Sequence, residues 1–217
     1  MMLWALSLPH LITAKIIEIL NPGGIQEDLV RCLELARKHG GSVPEPFITA
    51  LVIAEDHRSA LHPGIDPIAM MRAIWVRVIS GQIQGASTIE QQFVRTVTSR
   101  YRRTLSRKLR EQMLALMLSR KISKREISSA YLSIAFYGVG CIGIGGLKRR
   151  FGNDLSIVGI RQAFWMVSQL KYPRPLIPTA SWHSKVSTRT CALVSRTEVP
   201  TKSTLQPSLQ GTAELKR

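Results

Sequence analysis

At 217 residues with 45% hydrophobic side chains, the chain can bury one core and is too short for two large domains. Thirty Lys and Arg against fourteen Asp and Glu leave a net charge of +16, which draws polyanions or anionic membrane surfaces before any specific contact forms. Cys32, Cys141 and Cys191 show no close C-x-x-C pairing, which argues against a zinc site or a disulfide framework.

In chain order, Met1 to Ala14 is uncharged but carries Pro9 and His10 and stops at Lys15. That is short of the ~20 apolar residues a membrane span needs, and no basic residue precedes it as in a secretory leader. Asn21-Pro22-Gly23-Gly24 breaks the stretch, and Leu29, Val30, Leu33 and Ala36 then mark a helix ended by His39-Gly40-Gly41. Residues 1–41 read as an N-terminal helical appendage. After Ser42, Pro44 and Pro46 open a helix whose apolar face holds Phe47, Ile48, Leu51 and Val52. Glu55 falls on that face, where burial raises a carboxylate's pKa.

A helix from about Pro67 to Val78 and a turn at Gly81–Gly85 come next. Ser87-Thr88-Ile89-Glu90 reads as a capping box, with Ser87 and Glu90 satisfying free backbone N–H groups. The helix starting near Leu105 carries two apolar stripes, Leu105/Leu109/Leu116 and Leu114/Leu118, which predict burial. Glu111 lies on the second stripe, and Arg107 one turn earlier is spaced to hold its carboxylate ionised. Helical patterns follow at Lys124–Ile134 and Gly159–Leu170, separated by a Gly-rich stretch, Gly138–Gly146, that reads as loop. From Thr179 the apolar periodicity fades into Ser, Thr and Pro, so residues 179–217 read as a disordered tail. Strand alternation is scarce throughout.

Two glutamates on apolar helix faces, Glu55 and Glu111, suit acid–base work on a sugar hydroxyl, although a buried Glu satisfied by an Arg would look the same. Between them Arg95, Arg100, Arg102, Arg103, Arg107, Lys108 and Arg110 place seven cations in sixteen residues, enough to clamp a pyrophosphate or simply to form a solvated basic loop.

The order of these motifs resembles the family 51 glycosyltransferases, which polymerise peptidoglycan. Glu55-Asp56 through His62-Pro63-Gly64 is similar to the family's E-D-x-x-F-x-x-H-x-G, Gly85 to Arg95 to its G-x-S-T-I-x-Q-Q-x-x-K/R, and Arg107 to Glu111 to R-K-x-x-E. Ser123–Ile127 with Tyr131-Leu132 resembles a fourth motif, and Gln162-Ala163 through Pro178 a fifth, so the likeness spans about three fifths of the chain.

The resemblance implies an all-α, lysozyme-like domain at residues 42–178 with a small membrane-touching jaw. It implies Glu55 as the base that deprotonates the acceptor 4-hydroxyl. Arg95, Arg107, Lys108 and Glu111 would surround the pyrophosphate leaving group, with a divalent cation (Mg or Mn) admitted beside Glu111. Asp56, His62, Ser87, Thr88, Gln91 and Gln92 would line the same cleft. The implied partners are lipid II, the growing glycan strand, the outer face of the bacterial cytoplasmic membrane and other cell-wall synthesis proteins, with no nucleic acid.

Departures fall at Ser59 for an aromatic residue, Ser129 and Ser133 for a glutamate and an asparagine, Arg150 for a tyrosine and Gln162 for a glutamate. A weakened relative that only holds lipid-linked precursor, a basic nucleic-acid binder and a glycan-cleaving hydrolase are the competing readings. Membrane association is expected through Trp4, Leu6 and the basic face.

Overall fold

The computed structural model describes residues 12, 24–102 and 104–198. Among them are nine α-helices: α1 (Ile25–His39), α2 (Glu45–Glu55), α3 (Pro67–Ser80), α4 (Ile89–Thr98), α5 (Leu105–Ser119), α6 (Lys124–Ile134), α7 (Gly143–Phe151), α8 (Ile160–Lys171) and α9 (Ala180–Glu198). A two-stranded antiparallel ribbon, β1 (Phe136–Gly138) and β2 (Cys141–Ile142), is the sheet content. This is the expected all-α, lysozyme-like class.

Local chemistry sets the helix ends. Asp66 caps α3 by accepting from Ala69 N–H at 2.9 Å, with Pro67 in the first turn, and left-handed Gly81 stops it. Thr104 caps α5. Ser123 and Glu126 form a full capping box on α6. At α4 the cap is Thr88 rather than Ser87, and Glu90 does not reach back to it. Either hydroxyl suits an N-cap, and the one-residue shift frees Ser87 for other partners.

Helix α5 lies at the centre, with Glu111 to Leu118 all buried. Phe47, Ile48 and Leu51 of α2, Phe93 and Val94 of α4, Ile127 and Leu132 of α6, and Phe164 and Val167 of α8 share one core with it. Helix α2 packs chiefly on α8, and α4 on α5 and α6. The first turns of α5 depart from the expected burial: Leu105 and Leu109 are exposed, because α5 enters the core only from Glu111 onward. Helix α3 stands apart, with Ala69 its one buried residue.

Three boundaries differ from the sequence reading. The helix within 1–41 is no appendage: Leu29, Cys32 and Ala36 are buried in the common core, and Asp28 pairs with Arg110 of α5 at 2.8 Å. The Gly-rich stretch is part hairpin and part helix α7 rather than loop. The disordered-tail reading is corrected for residues 180–198, which form α9 against α8 and α2. Trp182, Val186, Thr190, Leu193 and Val194 are buried at helical spacing, a stripe too diluted by Ser and Thr to stand out in the sequence. Residues 199–217, and Trp4 and Leu6, lie outside the described residues.

Candidate active site

Glu55 is the last residue of α2. Asp56 ends the helix with φ −153°, its N–H still bonded to Val52 O at 2.9 Å, so the Glu55 side chain emerges at the rim of the core. It is half-buried, and each oxygen has a donor: Arg189 NH2 reaches Oε1 at 2.6 Å and Gln92 Nε2 reaches Oε2 at 3.3 Å. Burial raises its pKa above the ordinary glutamate value, with Asp56 adding to the rise, while Arg189, Gln92 and Lys171 oppose it. Tyr131 Oη donates to Gln92 Oε1 at 3.0 Å, which turns the Gln92 amide so that its N–H faces Glu55.

The second glutamate sits deeper. Glu111 is 2% exposed at the side chain and meets Arg95 Nε at 3.0 Å, Lys108 Nζ at 3.9 Å and Arg107 one turn back along α5. Lys108 also donates to Ser87 Oγ at 2.9 Å and to Gln91 Oε1, and Arg95 NH2 reaches Ser87 Oγ at 3.3 Å. Burial pushes the Lys108 ammonium down to about 8; Glu111 resists this and Arg95 and Arg107 add to it.

Helix α4 joins the two carboxylates. Gln92 holds Glu55 and Arg95, three residues on and therefore on the same face, holds Glu111. The spacing Ser87, Gln91, Gln92, Arg95 thus builds one polar wall carrying both glutamates.

Four expected cleft residues also hold the wall in place, Asp56 and Thr88 while lining the small depression beside Glu55. His62 is fully buried; its Nδ1 accepts from Gly64 N–H at 3.2 Å, so the ring hydrogen sits on Nε2 and points at Asp56 Oδ1, 3.0 Å away. Asp56 Oδ2 accepts from Ile89 N–H at 3.3 Å at the start of α4. Thr88 donates to Gly64 O at 2.7 Å while capping the helix. Gln91 is buried with its carbonyl on Lys108. Ser87, Gln92, Arg95, Arg107 and Lys108 keep some exposure. Glu90 is buried and paired with Lys124, tying α4 to α6.

Around this wall run two depressions. A small one of about 40 Å³ is lined by Glu55, Arg58, Arg72, Ser87 and Thr88 among others. A cavity of about 760 Å³, bounded by Arg100, Tyr101, Arg102, Arg107, Arg110 and Leu109, shares Arg107 with the Glu111 cluster. Arg100 and Arg110 both face Asp28, at 3.6 and 2.8 Å.

The family model described as Transglycosylase matches residues 35–198. The chain belongs to that family. Among its relatives, penicillin-binding protein 1A of Aquifex aeolicus is 34% identical over 138 residues, covering 63% of this chain and 19% of that protein. Penicillin-binding protein 1A of Escherichia coli is 31% identical, covering 70% and 18%, and penicillin-binding protein 1B of Vibrio cholerae 36% identical, covering 60% and 18%. The chain spans about a fifth of the length of these relatives. The family match runs to residue 198, so α9 lies inside the transglycosylase region.

The departures from the family's motifs occupy structural positions in this transglycosylase fold. Ser129 Oγ accepts from Val43 N–H at 3.1 Å and donates to His39 O at 2.8 Å, joining α6 to the α1–α2 turn. Ser133 donates to Ser129 O at 2.9 Å. Gln162 accepts from Gly159 N–H at 3.0 Å, as a glutamate there would. Arg150 stacks over the Trp165 ring at 4.7 Å, and Ser59 is buried. Neither carboxylate group fits a divalent cation as arranged. Glu111 is ringed by three cations. In the cluster Asp56, His62 and Asp66 the ligand atoms are already taken, Asp66 by Ala69 N–H and by Arg58 at 2.7 Å, Asp56 and His62 by each other, Ile89 and Gly64.

Residues missed in the sequence are Arg189 and Tyr131 as partners of the Glu55 site. Tyr131 falls within the fourth motif, whereas Arg189 lies 134 residues from Glu55 in a segment without visible periodicity.

Proposed function

We propose that this chain is a peptidoglycan glycosyltransferase that extends glycan strands from lipid II, with Glu55 as general base and the Glu111 cluster at the leaving group. The observation that carries this reading is the α4 wall, which holds one half-buried carboxylate through Gln92 and a ring of cations around a second through Arg95. Glu55 takes the proton from the acceptor 4-hydroxyl as its oxygen bonds to the donor's anomeric carbon. The bond from that carbon to the polyprenyl pyrophosphate breaks on the opposite face, which inverts the centre. Negative charge developing on the pyrophosphate is met by Arg95, Arg107 and Lys108. Glu111 holds these cations in place and keeps them from repelling one another apart. Buried donors without a protein acceptor, Arg107 Nε and Gln91 Nε2, suit an acceptor-rich ligand such as a pyrophosphate.

The membrane setting is part of the same proposal. Met71, Ile74, Trp75, Val78 and Ile79 on α3, with Ile83 after it, are all exposed, a patch of the kind that enters a lipid interface. No helix among the described residues is long and apolar enough to cross a membrane. We place the domain against the outer face of the bacterial cytoplasmic membrane, where the lipid substrate is presented.

The test is incubation of the detergent-solubilised chain with labelled lipid II. Polymer should form, and Glu55→Gln, which keeps shape but accepts no proton, should lower the rate by at least ~10²-fold with the helical signal intact. Absence of polymer from the parent protein would favour a relative that only holds the precursor, and shortening of added glycan would favour a hydrolase.

A further inference from the structure

We infer that Arg189 of α9 is a positioning residue for the reaction, holding the Glu55 carboxylate in place and in its charged form until the acceptor hydroxyl arrives. This rests on the reading of Glu55 as the base.

The geometry is specific. One guanidinium nitrogen, NH2, makes both contacts, 2.6 Å to Glu55 Oε1 and 3.2 Å to Ala54 O. Arg189 thereby grips the last turn of α2 by its backbone and its terminal side chain together, at the end where the helix dipole favours a cation. The arginine is itself held. On the same helix Val186 and Leu193 are buried, Thr190 donates to Val186 O at 2.8 Å and meets Ser168 of α8 at 3.3 Å, and Trp182 donates to Tyr172 O at 3.0 Å. Arg189 Nε is buried without an acceptor, so the side chain reaches Glu55 although that leaves a donor unpaired.

Why a base needs such a partner follows from its surroundings. Burial beside the core favours the protonated form of Glu55, which cannot accept the acceptor's proton. Of the groups facing it, Asp56 at the end of α2 worsens this. Lys171 of α8 acts through space and Gln92 of α4, backed by Tyr131 of α6, through a neutral hydrogen bond. His57 and Arg58 flank it in the loop after α2, and Arg58 is committed to Asp66. Arg189 is the leading opponent of protonation. The ion pair leaves the remaining lone pairs of the carboxylate open to a hydroxyl.

The test compares the full chain with R189Q and R189K, taking kcat/KM for lipid II polymerisation across pH 5.5 to 9, with a thermal melt on each protein and E55Q in parallel. R189Q should lose activity most at the acidic end, its ratio of rates at pH 6 and pH 8.5 falling several-fold below the parent's, because the carboxyl loses the cation that opposes its protonation. Because a single nitrogen makes both contacts, R189K should keep the parent's profile. A uniform loss in R189Q at every pH would reduce Arg189 to a structural role and overturn the inference, and so would a gain, which would make it an inhibitory plug. If R189Q does not melt cooperatively, R189K decides: a profile displaced from the parent's overturns the inference and a matching one supports it. Activity in E55Q would instead remove the base reading, whichever way Arg189 behaves.

Discussion

Under the proposed mechanism, Lys108 gives the site a second titrating group beside Glu55. Burial brings its ammonium to about 8, so it is cationic below that value and loses its charge as pH rises through it. If it neutralises the leaving group, kcat/KM should fall on the alkaline side near pH 8, while the acidic side follows Glu55, displaced upward from the ordinary glutamate range. Lys108→Arg, which cannot be deprotonated in this range, should move the alkaline fall to higher pH and leave the acidic side alone; an unmoved alkaline limb would take Lys108 out of the chemistry. Glu90 tests the opposite kind of role. It is 1% exposed and paired with Lys124, not capping α4, so Glu90→Gln should cost about 1–3 kcal/mol in urea unfolding with turnover per folded molecule near the parent's.

Between elements, the latch linking α3, α4 and α5 is the Gly64 loop. Gly64 has φ +113°, and a Cβ there would stand 2.6 Å from Ser119 Oγ and 2.7 Å from Ala115 O of α5. Its carbonyl meanwhile takes the Thr88 hydroxyl. Gly64→Ala should therefore lower stability by about 2 kcal/mol or more, read as a shifted urea midpoint. The same loop marks the limit of sequence reasoning. The five motifs are contiguous, so helices α2, α4, α5, α6 and α8 and the pairing of Glu111 with Arg107 were legible from local spacing. What His62 and Thr88 touch was not, because residue type alone does not say whether a polar group faces a cleft or fastens a loop. Helix α9 escaped for a different reason: Ser, Thr and His occupy most of its turns, and its apolar stripe is visible only once α8 is there to cover it.

At the scale of the molecule, charge and apolar surface have separable jobs. In the proposed membrane setting the +16 balance would draw the protein to anionic lipid and be screened at high salt, whereas the α3 face, with Trp75 68% exposed, would not. Binding to vesicles containing anionic lipid should persist in 1 M NaCl for the parent and become salt-labile for a Trp75→Ser/Ile79→Ser double variant, with sedimentation as the readout; identical salt curves would remove α3 from the membrane contact. The pairing of Glu55 with Arg189 has a consequence for biogenesis. The two residues are 134 positions apart, and chains grow at about 5–20 residues per second, so Arg189 is made roughly 7 to 27 seconds after Glu55. Every signature motif is already polymerised before that moment. A chain released at residue 179 would carry the whole set of family motifs while its Glu55, still within reach of Gln92, lacked the Arg189 guanidinium.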